Sequence, residues 1–122
     1  MTRNEFVRWL VLNEITDDFE NVDQVILRNV SQTGSKCGLT IERSEVVAAL
    51  ASLVQDGLAK AYRLPSQEPL QGMPICDEIE EYFKTYFYVT KEGMAVHLAD
   101  DSWWPLDEDQ KLKKDWSLNS SC

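Results

Sequence analysis

The chain has 122 residues, of which 43% are hydrophobic and 27% are charged, values typical of an ordinary globular protein. This length predicts one domain with a hydrophobic core rather than two. No stretch approaches the roughly 18 consecutive apolar residues of a membrane span. Glu5 and Arg8 interrupt the apolar run near the N-terminus. We therefore expect no membrane partner, no signal peptide and a cytoplasmic location.

The formal net charge is −9 at pH 7, which argues against nucleic-acid binding because contacts with phosphates supply much of that affinity. The acidity is unevenly distributed. Residues 1–64 hold seven Lys/Arg against nine acids, and residues 65–122 hold five against twelve. Between Arg28 and Arg63 there are five bases and three acids, so this segment is locally basic.

The sequence contains no pattern typical of an enzyme or a metal site. Cys37, Cys76 and Cys122 are widely spaced, which favours reduced thiols over a disulfide framework or a zinc site. His97 is the single histidine, so the sequence offers no second imidazole with which it would bind a metal. The acidic clusters do not fit a calcium-binding loop, and neither a phosphate-binding glycine loop nor a nucleophile elbow occurs. We expect no catalytic residues, no metal and no cofactor.

Capping signals and apolar periodicity predict three helices in the first half of the chain. Thr2 and Glu5 have the spacing of a capping box, which opens a first helix of about a dozen residues. A second apolar face recurs at helical spacing in residues 22–30, and Gly34–Gly38 is predicted to be a turn. The third helix is predicted from an N-cap at Thr40 to about residue 56, where Gly57 provides a left-handed C-cap.

The second half begins with strand patterns. Residues 58–64 are predicted to form a strand in which Lys60 and Tyr62 face opposite to Ala61 and Arg63, and residues 82–89 show a second alternation. Prolines and a glycine mark a long connection between them, in which residues 77–81 are predicted to form one helical turn. Thr90 then caps a fourth helix, and an acidic stretch with three tryptophans ends the chain.

Two patterns carry a family resemblance: Val46-x-x-x-Leu50-x-x-Leu53-x-x-x-Gly57-Leu58 and Tyr88-Val89-Thr90-x-Glu92-Gly93. In this order, over about residues 20–98, the chain resembles winged helix-turn-helix proteins of the MarR-like and PadR-like kind. The resemblance implies an α+β, mainly α fold: a three-helix core, a two-stranded wing hairpin with an enlarged loop, and a fourth helix. The winged-helix domain would span residues 1–99, followed by a C-terminal extension at residues 100–122.

The resemblance implies a small DNA-binding protein of the transcription-regulator kind. The start of the third helix would meet double-stranded DNA through Thr40, Arg43 and Ser44, with Arg43 as the best reader of bases or phosphates. Lys60 and Arg63 on the wing would contact phosphates. Alternative interpretations of these residues stay open. The charges on the third helix also suit an ordinary solvated surface, and Lys60 and Arg63 also suit a sheet edge, where charges deter pairing with other strands. Winged helices also serve as protein-interaction modules without affinity for DNA, and Glu42 and Glu45 favour that function.

The resemblance further implies a homodimer, because a two-fold protein matches two half-sites on DNA. The first helix has an unusually wide apolar face, and its residues Phe6, Trp9 and Leu10 are the preferred interface. Trp103 and Trp104 offer an alternative. They would either lie at a subunit interface or cover this face within one chain, which leaves a monomer, and packing on the same chain is slightly favoured.

Overall fold

The computed structural model describes residues 1–63, 85–100, 102–114 and 116–118, and for Gln24 and Arg63 it describes the backbone alone. These residues form an α+β, mainly helical architecture with four α-helices and one antiparallel pair of strands. The elements are α1 (Arg3–Glu14), a π-helical turn (Val22–Ile26), α2 (Leu27–Lys36), α3 (Arg43–Gln55), β1 (Ala59–Arg63), β2 (Thr85–Val89) and α4 (Lys91–Ala99). The predicted long connection and its helical turn lie outside the described residues.

The first helix begins where the sequence predicts. Thr2 is its N-cap, and the Thr2 side-chain oxygen accepts a hydrogen bond from the backbone N–H of Glu5 at 3.2 Å. This bond satisfies one of the donors that a helix N-terminus leaves free. Helix α1 then buries an almost continuous set of apolar residues: Phe6, Val7, Leu10, Val11 and Leu12.

The second helical segment differs from its prediction at both ends. It opens with a π-helical turn, in which the N–H of Ile26 donates to the carbonyl of Asn21 at 3.1 Å. At the other end Gly34 lies inside α2 rather than in a turn, and Gly38 has the left-handed φ of 77° instead. A Cβ on Gly34 would collide with the Ile41 side chain, so the glycine permits close packing between α2 and the segment before α3.

The third helix begins two residues later than predicted. Its N-cap is Glu42, not Thr40, and the Glu42 backbone N–H donates to Glu45 Oε2 at 2.9 Å. The reason is that the Glu42–Glu45 pair closes a capping box, whereas Ile41 is drawn into the core and is 6% exposed.

The end of α3 confirms its prediction. Gly57 has φ of 76° and its N–H donates to the Val54 carbonyl, while the N–H of Leu58 donates to the Leu53 carbonyl at 2.9 Å. This pair of bonds is a Schellman motif, and it directs the chain into β1.

The two strands form an antiparallel ladder in which Ala61 pairs with Phe87. As predicted, the alternation separates a buried face from a solvent-side face. Ala59 and Ala61 are buried, whereas Lys60 is exposed and Tyr62 is half-buried. Glu20 forms an isolated antiparallel bridge with Phe87 on the outer side of β2, with N–O distances of 3.0 and 2.8 Å. The loop after α1 therefore extends the sheet by one short segment.

The C-terminal extension packs against the helices. Trp103 is 6% exposed and stacks on Trp9 with ring centroids 5.6 Å apart. Trp116 lies against Phe6 at 4.7 Å, and its indole N–H donates to the Trp103 carbonyl at 3.0 Å. The main core lies among α1, the segment before α2, α3 and the inner face of the strands. None of the helices in the described ranges is long and apolar enough to span a membrane.

Candidate nucleic-acid interface

The start of α3 presents a mixed polar surface. Thr40, Glu42 and Ser44 are exposed there, in agreement with the prediction that this end of the helix faces outward. Ala48, one turn after Ser44, is also exposed, whereas its neighbour Ala49 is buried at 7% exposure. The outward surface thus combines two hydroxyls, one methyl group and one carboxylate.

Arg43, the predicted reader of bases, is held in an ion pair within the chain. Its Nε donates to Asp23 Oδ1 at 2.7 Å and its Nη2 donates to Asp23 Oδ2 at 3.2 Å. The side chains are 27% and 13% exposed. A guanidinium that faces a carboxylate in this two-bond arrangement has its charge neutralised and its orientation fixed. Reading a base would require Arg43 to leave Asp23.

A second two-bond ion pair involves Glu45, two residues after Arg43. Arg3 Nε donates to Glu45 Oε1 at 2.8 Å, and Arg3 Nη2 donates to Glu45 Oε2 at 3.2 Å. The hydrogen bond from Arg3 is the largest influence on Glu45 and lowers the pKa of its carboxyl group, while burial opposes this. Arg3 is thus neutralised as well, and it fastens the start of α1 to the first turn of α3.

Lys60 and Arg63, the two strand cations predicted to contact phosphates, both lie on β1. Lys60 is exposed on β1, opposite Tyr88 in the ladder. The backbone of Arg63 pairs with Thr85 at the end of β1. Phe19 lies against Tyr62 and Tyr88, with ring centroids 5.0 and 4.9 Å apart, so the surroundings of Lys60 are aromatic. Of Arg43 and Lys60, two of the predicted DNA contacts, the first is paired with Asp23 and the second is exposed.

Packing within the chain covers most of the predicted dimer interface. Phe6 is 0% and Leu10 is 2% exposed, because α3 and the C-terminal extension cover α1. Trp9 is half-buried and has one face against Trp103. These side chains have little or no surface to offer a second chain. Within this chain Trp103 and Trp116 lie on α1, through Trp9 and Phe6 respectively, and Trp104 lies against Trp103.

The role of Asp23 could not be predicted from the sequence. Its partner Arg43 lies 20 residues away, and a separation of that length leaves no local pattern. Groups of three or more metal-binding side chains do not occur within the part of the chain that the structure describes. His97 is half-buried, and its Nδ1 has no hydrogen-bond partner among the described residues.

The chain was also compared with known proteins. No protein-family model, no curated protein and no solved structure matches it.

Proposed function

We propose that the chain is a winged-helix module that binds another protein. The layout supports the winged-helix part of the proposal: three helices precede an antiparallel hairpin, and a fourth helix follows it. The Glu20–Phe87 bridge adds a short segment to the free side of β2, so the hairpin is joined to the loop between α1 and α2. Helix α3 leads directly into β1 through the Gly57 cap, as a recognition helix leads into a wing.

The ion pair between Arg43 and Asp23 is the observation that favours a protein partner over DNA. It neutralises the base-reading candidate at the start of α3, next to the exposed carboxylate of Glu42. A surface that binds DNA normally needs several free cations to replace the counterions of the phosphates. With Arg3 also paired and a net charge of −9, the start of α3 is better suited to a protein surface than to DNA.

DNA binding stays a prediction, and a salt titration decides between the two functions. The purified chain is mixed with labelled duplex DNA of mixed sequence, and fluorescence anisotropy is measured from low to physiological ionic strength. We expect no binding even at low salt, where electrostatic affinity is greatest. Binding that weakens steeply with salt would contradict the protein-interaction module and restore the DNA-binding regulator.

The partner itself is sought with photo-cross-linking amino acids placed at Ser44 and Ala48, two exposed positions on α3. The same amino acid at Gln32, an exposed position on α2, is the matched control. We expect a defined protein to be cross-linked from α3 and not from Gln32, and to bind the wild-type chain when both are purified. Nucleic acid as the cross-linked species would contradict the proposal.

A further inference from the structure

A groove runs along the exposed side of α1. Its larger part has a volume of about 290 Å³ and lies between α1 and α3, with Ala48, Ala49 and Ser52 on its α3 side. Its smaller part, of about 70 Å³, lies among α1, the end of α3 and α4. Glu5 and Arg8 line both parts, so the two adjoin. We call the whole feature the α1 groove.

The two parts of the α1 groove differ in chemistry. The larger part is floored by small side chains, which allow another backbone to approach closely, as in helix pairs with axes about 8–10 Å apart. The smaller part is walled mainly by apolar side chains, among them Leu12, Leu58 and Val96. A segment that lies in this groove would therefore place an aliphatic side chain in the smaller part and a narrow polar face along the larger part.

The charges around the groove leave one carboxylate without a counterion. Glu45 is paired with Arg3, and Arg8 is paired with Asp56 at the C-cap of α3. Glu5 is exposed, and no cation among the described residues pairs with it. The surplus charge of the groove is therefore negative, in a chain whose net charge is −9. A complementary segment carries lysine or arginine opposite Glu5.

We propose that the α1 groove binds an amphipathic helix of a partner protein, which places a leucine-like side chain in the apolar end and a lysine or arginine at Glu5. This inference rests on the proposed function, since it names the surface and the kind of partner that the module uses. Helices recognise grooves through anchors spaced three or four residues apart, which is the spacing that brings both groups to one face. A second copy of this chain is a poorer occupant, because it has the same net charge of −9 and would be repelled.

The probes are two synthetic alanine-based helical peptides that differ in charge alone. One has leucine followed four residues later by lysine, and the other has glutamate in place of the lysine. Each is titrated into the full-length, ¹⁵N-labelled chain, and backbone amide shifts are followed by NMR. We expect the lysine peptide to shift the amides of Ala48, Ser52 and Val96, and to bind at least about tenfold more tightly than the glutamate peptide. Equal affinities, shifts confined to other surfaces, or no binding of the lysine peptide would each overturn the inference.

Two pairs of variants test the same groove with matched controls. Ala48→Trp fills the larger part from an exposed helix position, and Gln32→Trp adds the same ring on α2. Glu5→Lys reverses the surplus charge, and Glu108→Lys makes the same charge change in the C-terminal extension. We expect the groove variants to weaken binding of the lysine peptide about tenfold or more and the controls to retain it, with unchanged circular dichroism for all four.

The failure of this inference is distinguishable from failure of the proposed function. If a protein partner cross-linked from Ser44 binds wild type and the groove variants equally well, the proposal that the α1 groove binds the partner is wrong. The proposal of a protein-interaction module then stands. If the chain binds duplex DNA and no protein, the proposed function itself is wrong.

Discussion

Arg43 and Asp23 join the start of α3 to the π-helical turn before α2 through two hydrogen bonds of 2.7 and 3.2 Å. Both side chains are largely shielded from water, at 27% and 13% exposed. Because two nitrogens of the planar guanidinium donate to the two oxygens of one carboxylate, the pair fixes the orientation of both groups. It therefore couples the position of α3 to that of α2 and removes a free cation from the protein surface.

We expect Arg43→Ala to lower the free energy of unfolding by about 1–3 kcal/mol, because it leaves the shielded carboxylate of Asp23 without its guanidinium partner. Urea unfolding at pH 7 measures this loss. The double variant Asp23→Ala/Arg43→Ala is the control, and we expect it to lose less than the sum of the single variants. Strictly additive losses would mean that the two side chains are not energetically coupled.

Stability should depend on pH through the ion pair of Arg3 and Glu45. The hydrogen bond from Arg3 holds the pKa of Glu45 below its ordinary value of 4.5 in the folded state. The unfolded chain therefore binds more protons in this range, so the contribution is present above pH 4.5 and is lost as the pH falls through the folded pKa. For a partly exposed pair we expect this contribution to be under about 1 kcal/mol.

The measurement is urea unfolding of wild type and Glu45→Gln from pH 7 down to pH 3. We expect wild type to be more stable at pH 7 and the two curves to converge below the folded pKa of Glu45. A difference that stays constant over the whole range would show that the charge of Glu45 is not the cause.

Gly93→Ala should destabilise the protein, although alanine is the better helix former. Gly93 lies in the first turn of α4, where a Cβ would collide with the Leu58 carbonyl oxygen and lie 2.7 Å from Val89 Cγ2. Backbone cannot move aside cheaply, so we expect a loss of about 1–3 kcal/mol. Thermal unfolding checks this. Ala95→Gly on the exposed side of α4 is the comparison, with an expected loss near 1 kcal/mol from helix propensity alone. A stabilised Gly93→Ala variant would refute the close approach.

Trp103→Ala should cost about 3–5 kcal/mol, because it removes a large side chain that is 6% exposed and stacks on Trp9. Trp104→Ala is the control, since Trp104 is half-buried and its loss should cost less stability.

Sedimentation equilibrium at micromolar concentration tests the oligomeric state. We expect the wild type to have the mass of one chain, 14.0 kDa, because the extension covers α1. A mass of two chains would restore the predicted homodimer on another surface.

Much of the local structure was predictable because its causes are local. Thr2 caps α1 and Thr90 caps α4 through side-chain oxygens that accept from the third following N–H, and both are recognisable from sequence. The glycine at position 57 marks the end of α3 for the same kind of reason. The alternation in β1 and β2 predicted two opposite faces, and the structure confirms it with Ala61 and Phe87 buried and Lys60 exposed.

The predictions that failed depend on contacts between distant residues. Gly34 has the sequence signature of a turn, but the space it leaves is used by Ile41. Thr40 is a good N-cap by type, yet the carboxylate of Glu45 selects Glu42 for that position. The sequence correctly identified the face of Phe6 and Leu10 as apolar. It did not determine what covers that face, because the covering segment includes an extension about 100 residues away.

The sequence by itself determined the order of the four α-helices and two strands and the caps at Thr2, Gly57 and Thr90, because hydrogen bonding at helix ends and the periodicity of apolar side chains act over a few residues. Only the tertiary structure decided which charges are free. The sequence predicts both Arg43 and Lys60 as contacts to DNA, and yet Arg43 is paired with Asp23 and Lys60 is exposed. The surface of α3 that a partner would meet depends on that difference, since releasing a cation from a partly buried carboxylate costs free energy.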